Sequence, residues 1–483
     1  MAQTRRDFIR TAACALGGAA LASTVESFGL VDAYAQNVSD YRALVCVFLN
    51  GGNDGNNMIV PLDDTSYGQY RAARSSSGLA LSRIGEPTGP YLLPVNSQSH
   101  ARQYGFHPNM PEMQSLYTQG KLAVVCNSGP LVEPLTRATY QNGTGRKPLQ
   151  LFSHSDQIAL WQTSVANSVS QTGWGGRMAD RMAAANLPST FAQSISTSVV
   201  STLLTGASTR QLVIADAAQS LSQLLPLNMN GAQTPDIAAR RVAFDQIRAT
   251  DLSNRLVRAH ADVRGSALQT SAQLSVVPFQ PFNTQFPNSS IARQLLQVGR
   301  LIYERGRFGM KRQIFFVQAG GYDSHSNQRS TSGALGTQDN LLLQLSQALG
   351  AFYNLLAEMS NPSSRFYLGS DVTKEVTAFT LSDFGRTLAP SGSGPGVGSD
   401  HGWGNHHLVF GGAVRGGDFY GTFPTLVAGG PDDADTRGRW IPTTSVEQYA
   451  ATLANWYGLS ASDFPAVFPL LDRFPTANLG FMS

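Results

Sequence analysis

Four stretches of this chain read as strands and carry no charged side chain: Ala43–Leu49, Leu122–Cys126, Gln313–Gln318 and Val376–Leu381. A strand with one wet face alternates apolar and polar residues, whereas a strand covered on both faces need not. Runs of this kind require a sheet with layers packed against both sides. Helical patterns lie between them: Pro111 to about Gly120, Ile291–Arg305 with Ile291, Leu295, Val298 and Ile302 on one stripe, and Leu341 to Met359. The alternation predicts an α/β protein built on a doubly wound, mainly parallel sheet. Residues 187–290, rich in Ser, Thr, Ala and Gln, are weaker in pattern and read as an inserted helical segment or a lid. Inside that segment Thr234-Pro235-Asp236 opens a helix, and near the end Thr444-Ser445-Val446-Glu447 reads as a capping box. A chain of 483 residues can build one large core carrying such an insertion.

Three of the runs stop at loops made of small and chemically active residues. Leu49 leads to Asn50-Gly51-Gly52-Asn53-Asp54, Gln318 to Gly320-Gly321-Tyr322-Asp323-Ser324-His325, and Leu381 to Ser382-Asp383-Phe384-Gly385-Arg386. A glycine-rich loop then reaches Asp400-His401-Gly402-Trp403-Gly404-Asn405-His406-His407, which holds three of the eight histidines. In open α/β sheets ligands sit beyond the carboxyl ends of the strands, so these segments are expected along one edge. Carboxylates gathered that closely repel unless a cation or protons offset them. Asp oxygens mixed with His nitrogens suit Zn²⁺, Mn²⁺ or Fe better than Ca²⁺ or Mg²⁺. The candidate ligands are Asp54, Asp323, His325, Asp383, Asp400, His401, His406 and His407, and the implied cofactor is one or two divalent metal ions. The plainer reading of the last stretch is a polar loop with exposed histidines.

The N-terminus reads Thr4-Arg5-Arg6-Asp7-Phe8-Ile9, then a small apolar stretch, then Asp32-Ala33-Tyr34-Ala35. Twin arginines, a modest hydrophobic region and an A-x-A site predict a twin-arginine export signal over residues 1–35, cleaved before Gln36. Residues 36–483 then form the α/β domain, in the periplasm or beyond, with the twin-arginine export machinery as a partner. No later segment is apolar over the ~18 residues that a membrane span needs. The chain carries 35 basic and 32 acidic residues, and removing three of each with the signal leaves the net charge at +3. That balance, with no Lys/Arg-rich tract, excludes a nucleic-acid footprint. Cys46 and Cys126 remain, each inside an apolar run; they pair if their strands are neighbours and are otherwise buried thiols.

Leu49–Gly55, Gly321–His325, Ser382–Thr387 and Asp400–His407 together resemble the motifs of the twin-arginine-exported domain-of-unknown-function family 1501, which is similar to the alkaline phosphatase and sulfatase superfamily. The resemblance implies an alkaline-phosphatase-like fold and two-metal chemistry on a small anionic ester substrate. By it Asp54 takes the first ligand role and Asp323 with His325 the second. Asp383, or else Asp400 with His401, takes the third, and His406 or His407 the last. Asn50 at the strand end, Phe384 after Asp383 and the short 323–325 spacing depart from that pattern, leaving room for one of the two metal sites to be altered or absent. The superfamily's nucleophile stands at a helix start, which points to Ser153, while a plain N-cap is its alternative. His154 beside it is a catalytic candidate or a satisfied core histidine. Arg386 either holds an anionic substrate oxygen or pairs with Asp383.

The implied activity is metal-dependent hydrolysis or transfer at a phosphate or sulfate ester, with a non-catalytic metal-binding or scaffold protein of the cell envelope as the alternative. Export is testable directly. Protein recovered from the periplasm of a host should begin at Gln36 by mass spectrometry, and an R5K/R6K variant should stay in the cytoplasm.

Overall fold

The computed structural model describes residues 38–224, 234–329, 335–394 and 396–483; the export signal and cleavage site expected from the sequence fall outside them. All four sequence runs are strands of one sheet. Its order is Phe419–Tyr420, Leu122–Gly129, Asn405–Phe410, Val376–Ser382, Arg42–Leu49, Arg312–Ala319, Ser194–Ser196 and Leu212–Val213, with Thr444–Ser445 also paired to Leu122–Gly129. Arg42–Leu49 lies parallel between Val376–Ser382 and Arg312–Ala319. Asn405–Phe410 runs antiparallel to both of its neighbours. Every other pairing in the sheet is parallel.

Side chains alternate between two cores. Val45, Val47, Val124, Phe315, Val317 and Leu408 face one of them. Helices Pro111–Thr118, Ser290–Tyr303 and Thr337–Ser360 cover it through Met113, Leu295, Val298, Leu349 and Phe352. Leu44, Cys46, Phe48, Val125, Phe316 and Phe379 face the other, under helices Trp174–Met182 and Val446–Tyr457. Both faces are dry, which explains why the runs do not alternate in polarity. The protein is thus a three-layer α/β structure with a mostly parallel central sheet.

Cys46 and Cys126 are free and fully buried. Two strands separate theirs in the sheet, and they face opposite cores, so no disulfide geometry is open to them. The 187–290 segment supplies helices Pro235–Ala249 and Arg255–Ser275, and also the two short strands that extend the sheet beyond Arg312–Ala319. A separate three-stranded antiparallel sheet, Leu93–Ser97, Arg102–Phe106 and Ile59–Pro61, has no counterpart in the sequence reading. Among the described residues no helix is long and apolar enough to cross a membrane.

The register sets the position of everything that follows. Leu49 is opposite both Ala319 and Ser382, so three loops leave the sheet at the same level. Asn405, which starts the reversed strand, is opposite Ser128 near the end of Leu122–Gly129, so it begins at that same edge.

Helix Val446–Tyr457 begins one residue later than expected: Ser445 caps it, with Gln448 completing the capping box. Glu447 is freed from that role and is fully buried, and burial pushes its carboxyl up to about 8 from 4.5. Between those values the folded chain keeps a proton that the unfolded chain releases, so stability falls as pH rises through the window. Glu447→Gln should flatten the slope, measured by urea unfolding at several pH values.

Candidate metal centre

At the shared edge the loops are stacked against one another. Gly51 has φ +117°, and a side chain there would strike the backbone of Tyr322 and Asp323, so only glycine lets these two loops close. The Gly51 N–H donates to Asp383 Oδ1 at 3.0 Å and the Tyr322 N–H to the Asn50 carbonyl at 3.2 Å. Gly398 permits a similar approach to the Ser324 carbonyl, which accepts from the Ser399 N–H at 3.2 Å. The short strand Ser399–His401 is thereby laid over the loop that carries His325.

Three imidazoles surround one carboxylate. Asp323 Oδ2 is 3.5 Å from His154 Nε2, while Asp323 Oδ1 is 3.0 Å from His325 Nε2 and 3.5 Å from His401 Nε2. His325 Nε2 and His401 Nε2 are 3.0 Å apart. His154, Asp323 and His401 form one group of converging donors; His325, Asp400 and His401 form another. The cluster lies at the surface, with the Asp323 and His325 side chains each 45% exposed.

The far nitrogens of two rings are fixed. His154 Nδ1 is 2.7 Å from Asp383 Oδ2, and His401 Nδ1 is 2.8 Å from the Phe152 carbonyl. The Phe152 carbonyl can only accept, so His401 Nδ1 carries the proton of its bond. With Asp383 as a carboxylate His154 Nδ1 does the same, and each Nε2 then has a lone pair facing Asp323. His154 Nε2 is out of contact with solvent and has no hydrogen-bond partner among the described residues. A carboxylate or carbonyl behind the ring is the usual arrangement of a metal-ligating histidine. Burial, with the Arg386 charge nearby, holds His401 below the ordinary imidazole range against its bond to the Phe152 carbonyl, which favours the neutral form that a ligand needs. Partial burial pulls the Asp323 carboxyl upward, but its Arg386 hydrogen bond and charge outweigh this and hold it ionised.

The residues fit a cation. A tetrahedral site with bonds of about 2.1 Å has edges of roughly 3.4 Å, and the spacings around Asp323 fall near that value. Two lone-pair nitrogens and a carboxylate, with a third imidazole alongside, match Zn²⁺ or a neighbouring transition metal rather than an oxygen-seeking ion.

The remaining candidates either stand behind or beside this convergence, as Asp383, Asp400 and Arg386 do, or are engaged elsewhere. Asp54 is buried in a bidentate pair with Arg74, at 2.5 and 3.2 Å, and also accepts from Gln328 and the Asn56 N–H. Asp383 stands behind His154, and burial raises its carboxyl against the Gly51 and His154 bonds. Asp400 accepts from Arg437 at 2.7 Å and lies 3.9 Å from His325 Nδ1. His406 stacks on Phe423 with centroids 4.4 Å apart, and its Nδ1 accepts from the Asn127 N–H. His407 lies edge-on to Trp161 at 4.7 Å. Burial lowers both of these histidines to about 3. Ser153 precedes helix His154–Thr163, but its hydroxyl donates to Asp156 Oδ2 at 2.6 Å and makes no cap bond to the backbone. Arg386, buried, pairs with Asp323 at 2.6 Å rather than with Asp383, whose oxygens are taken by Gly51 and His154.

Arg74, Arg437, Arg439, Gln328 and the Phe152 carbonyl complete the site without having stood out in the sequence. Arg74 sits at the end of helix Asp64–Arg74, where nothing local marks it. The Arg437-Gly438-Arg439 pattern close behind the histidine stretch was the available signal: Arg439 donates to the His401 carbonyl at 2.8 Å, and its guanidinium lies over the Phe152 ring at 4.4 Å.

A family model described as "Protein of unknown function (DUF1501)" matches residues 41–436. No curated protein matches. Among solved structures, a 2-O GAG sulfatase is similar at 6% identity and TM-score 0.33, over 89% of this chain and 75% of its own. A sulfatase from Pseudoalteromonas sp. is similar at 10% identity and TM-score 0.30, over 95% and 73%. A mutant of the alkaline phosphatase PafA follows at 10% and 0.23, over 73% and 64%. Scores this low leave the chemistry to be read from the chain's own side chains.

The two kinds of ion pair at the edge should respond differently to mutation. Arg74→Met leaves Asp54 buried and uncompensated, so chemical denaturation should show a loss of about 3–5 kcal/mol. Arg437→Met affects a pair whose side chains are 37% and 30% exposed, and should cost less than about 1 kcal/mol.

Proposed function

This chain belongs to the family described as protein of unknown function DUF1501, and from that premise and its edge cluster we propose a metal-dependent hydrolase or transferase acting on phosphate or sulfate esters. The observation that carries the reading is the aim of His154 Nε2 and His401 Nε2 at Asp323, each ring locked from behind by Asp383 or by the Phe152 carbonyl. We assign His154, Asp323 and His401 as the ligands of a divalent ion, with His325 beside them and Asp383 as the residue that orients His154. A bound divalent ion supplies Lewis acidity toward the ester oxygen and lowers the pKa of a nucleophile.

The chain's own groups account for the rest. Arg386, fixed by the Gly51 and Ser399 carbonyls, keeps Asp323 ionised and oriented. This takes the place of both roles read for Arg386 in the sequence, holding a substrate oxygen or pairing with Asp383, since the residue is 1% exposed and its partner is Asp323. Arg437, 37% exposed beside Asp400, is the guanidinium placed to meet an anionic substrate oxygen. His325, the most exposed of the three imidazoles, is placed to give a proton to the leaving group. Ser153 donates its hydroxyl to Asp156 Oδ2 at 2.6 Å, and we take water as the nucleophile of hydrolysis, with Ser153 as the alternative. Export by the twin-arginine route to the periplasm or beyond belongs to the same reading.

The committed Ser153 hydroxyl and the openness of the cluster also suit a second reading, a non-catalytic metal-binding or scaffold protein. Elemental analysis of protein from its native compartment, followed by aryl-phosphate and aryl-sulfate assays, separates the two. Ester cleavage that disappears together with the metal in Asp323→Ala and His154→Ala is the expected result. Metal without turnover on any ester favours the scaffold, and metal retained in both variants refutes the ligand assignment. Asp383→Asn, which disturbs the His154 tautomer, should weaken metal affinity roughly 10–100-fold in a chelator competition.

A further inference from the structure

Four carboxylates meet at the sheet edge, and their charges are balanced mostly by arginine. Asp54 is bound by Arg74, Asp323 by Arg386, and Asp400 by Arg437 with Arg439 at 3.7 Å. Asp383, buried and with its carboxyl pushed up, is shared between the Gly51 N–H and His154. The repulsion that would demand several metal ions is therefore already offset by side chains.

Asp54 is the most fully engaged of the four. Its side chain and that of Arg74 are both 0% exposed. Each of its oxygens meets the guanidinium; Oδ1 also accepts from the Asn56 N–H, and Oδ2 also accepts from Gln328 at 2.5 Å. Arg74 spends its other bonds on the Leu388 and Thr387 carbonyls and on Asn57 Oδ1. A divalent ion reaching Asp54 would have to enter beside a buried cation, with no oxygen left uncommitted.

Nor do the two groups of converging donors make two sites. Both include His401, whose Nδ1 is held at the Phe152 carbonyl, so the ring has one lone pair to offer. The second group's carboxylate, Asp400, is the one bound by Arg437.

We propose that the Arg74 guanidinium is a permanent internal cation that takes the place of a second metal ion, so the cluster binds one divalent ion per chain and Asp54 is not among its ligands. The proposal rests on the metal-site reading above and deepens it. The pair also reaches the cluster indirectly. Gln328 donates to Asp54 and accepts from the Ser399 hydroxyl at 2.6 Å, and the Ser399 carbonyl accepts from Arg386, which holds Asp323. Asp54 and Arg74 are thus positioning residues for Arg386.

The test is equilibrium dialysis of metal-stripped protein against Zn²⁺ and, separately, Mn²⁺, read by elemental analysis and isothermal calorimetry. One ion per chain is expected. Two ions overturn the proposal and leave the metal-site reading standing; no ion with either metal removes that reading and the proposal with it. Because Asp54→Asn alone strands a buried guanidinium and can unfold the chain, the decisive variant is the double substitution D54N/R74M, which removes both charges. It should still bind one ion, with affinity reduced no more than about tenfold through the slackened Arg386 link. Loss of the ion from a folded D54N/R74M protein, checked by circular dichroism, would show Asp54 to be a ligand and overturn the proposal. If that variant does not fold, Gln328→Leu severs the link and leaves the ion pair in place. One ion bound up to about tenfold more weakly is then expected, and unchanged affinity refutes the link.

Discussion

The flush ending of three parallel strands is the constraint on which the site depends. Leu49 is level with Ala319 on one side and Ser382 on the other, so the next residues of each strand emerge side by side. A slip of one residue in either pairing would turn the core side chains to the wrong face and carry Asp323 or Asp383 out of reach. The dry cores on both faces hold that register, and the glycines at 51 and 398 let the emerging loops touch. Stability of the sheet and geometry of the cluster are one problem solved once.

The fold was legible because burial on both faces leaves a mark in composition. Runs such as Ala43–Leu49 cannot be mistaken for half-exposed strands, and the helices between them carry a clear stripe. What escaped was structure defined by distant partners. Asn405–Phe410 read as the tail of a loop, since its strand character comes from insertion between Leu122–Gly129 and Val376–Ser382. That insertion buries His406 and His407 among aromatic rings, although they stand next to His401 in the sequence. The small sheet around Arg102–Phe106 was invisible for the same reason, being built from pairs with no strong local pattern.

For the candidate site, the sequence expected these loops along one edge, where the structure brings them, but with an incomplete electrostatic account. It placed Asp323, His325, Asp383, Asp400 and His401 together, and these do lie in or against the cluster. It expected a cation or protons to offset the close carboxylates, and took the cation to be a metal ion. Arginines from a helix end and from a loop well past the histidines supply most of that positive charge instead. A guanidinium folded in from far along the chain leaves no local signature, whereas a histidine next to an aspartate does. Ser153 shows the same limit on a smaller scale: its hydroxyl found Asp156, three residues on, instead of capping its own helix, and periodicity cannot rank such partners.

The central strand has a consequence for how such a chain comes to exist at all. Arg42–Leu49 is made early, yet its closest companions arrive hundreds of residues later; the Ser382 hydroxyl that bonds the Leu49 carbonyl is 333 positions away. No hairpin can shelter it in the meantime, and long-range parallel pairing is slow. The nascent protein must therefore carry an oily, unpaired ribbon until Arg312–Ala319 and Val376–Ser382 have been made, and that interval is when the ribbon is open to pairing with the wrong strand.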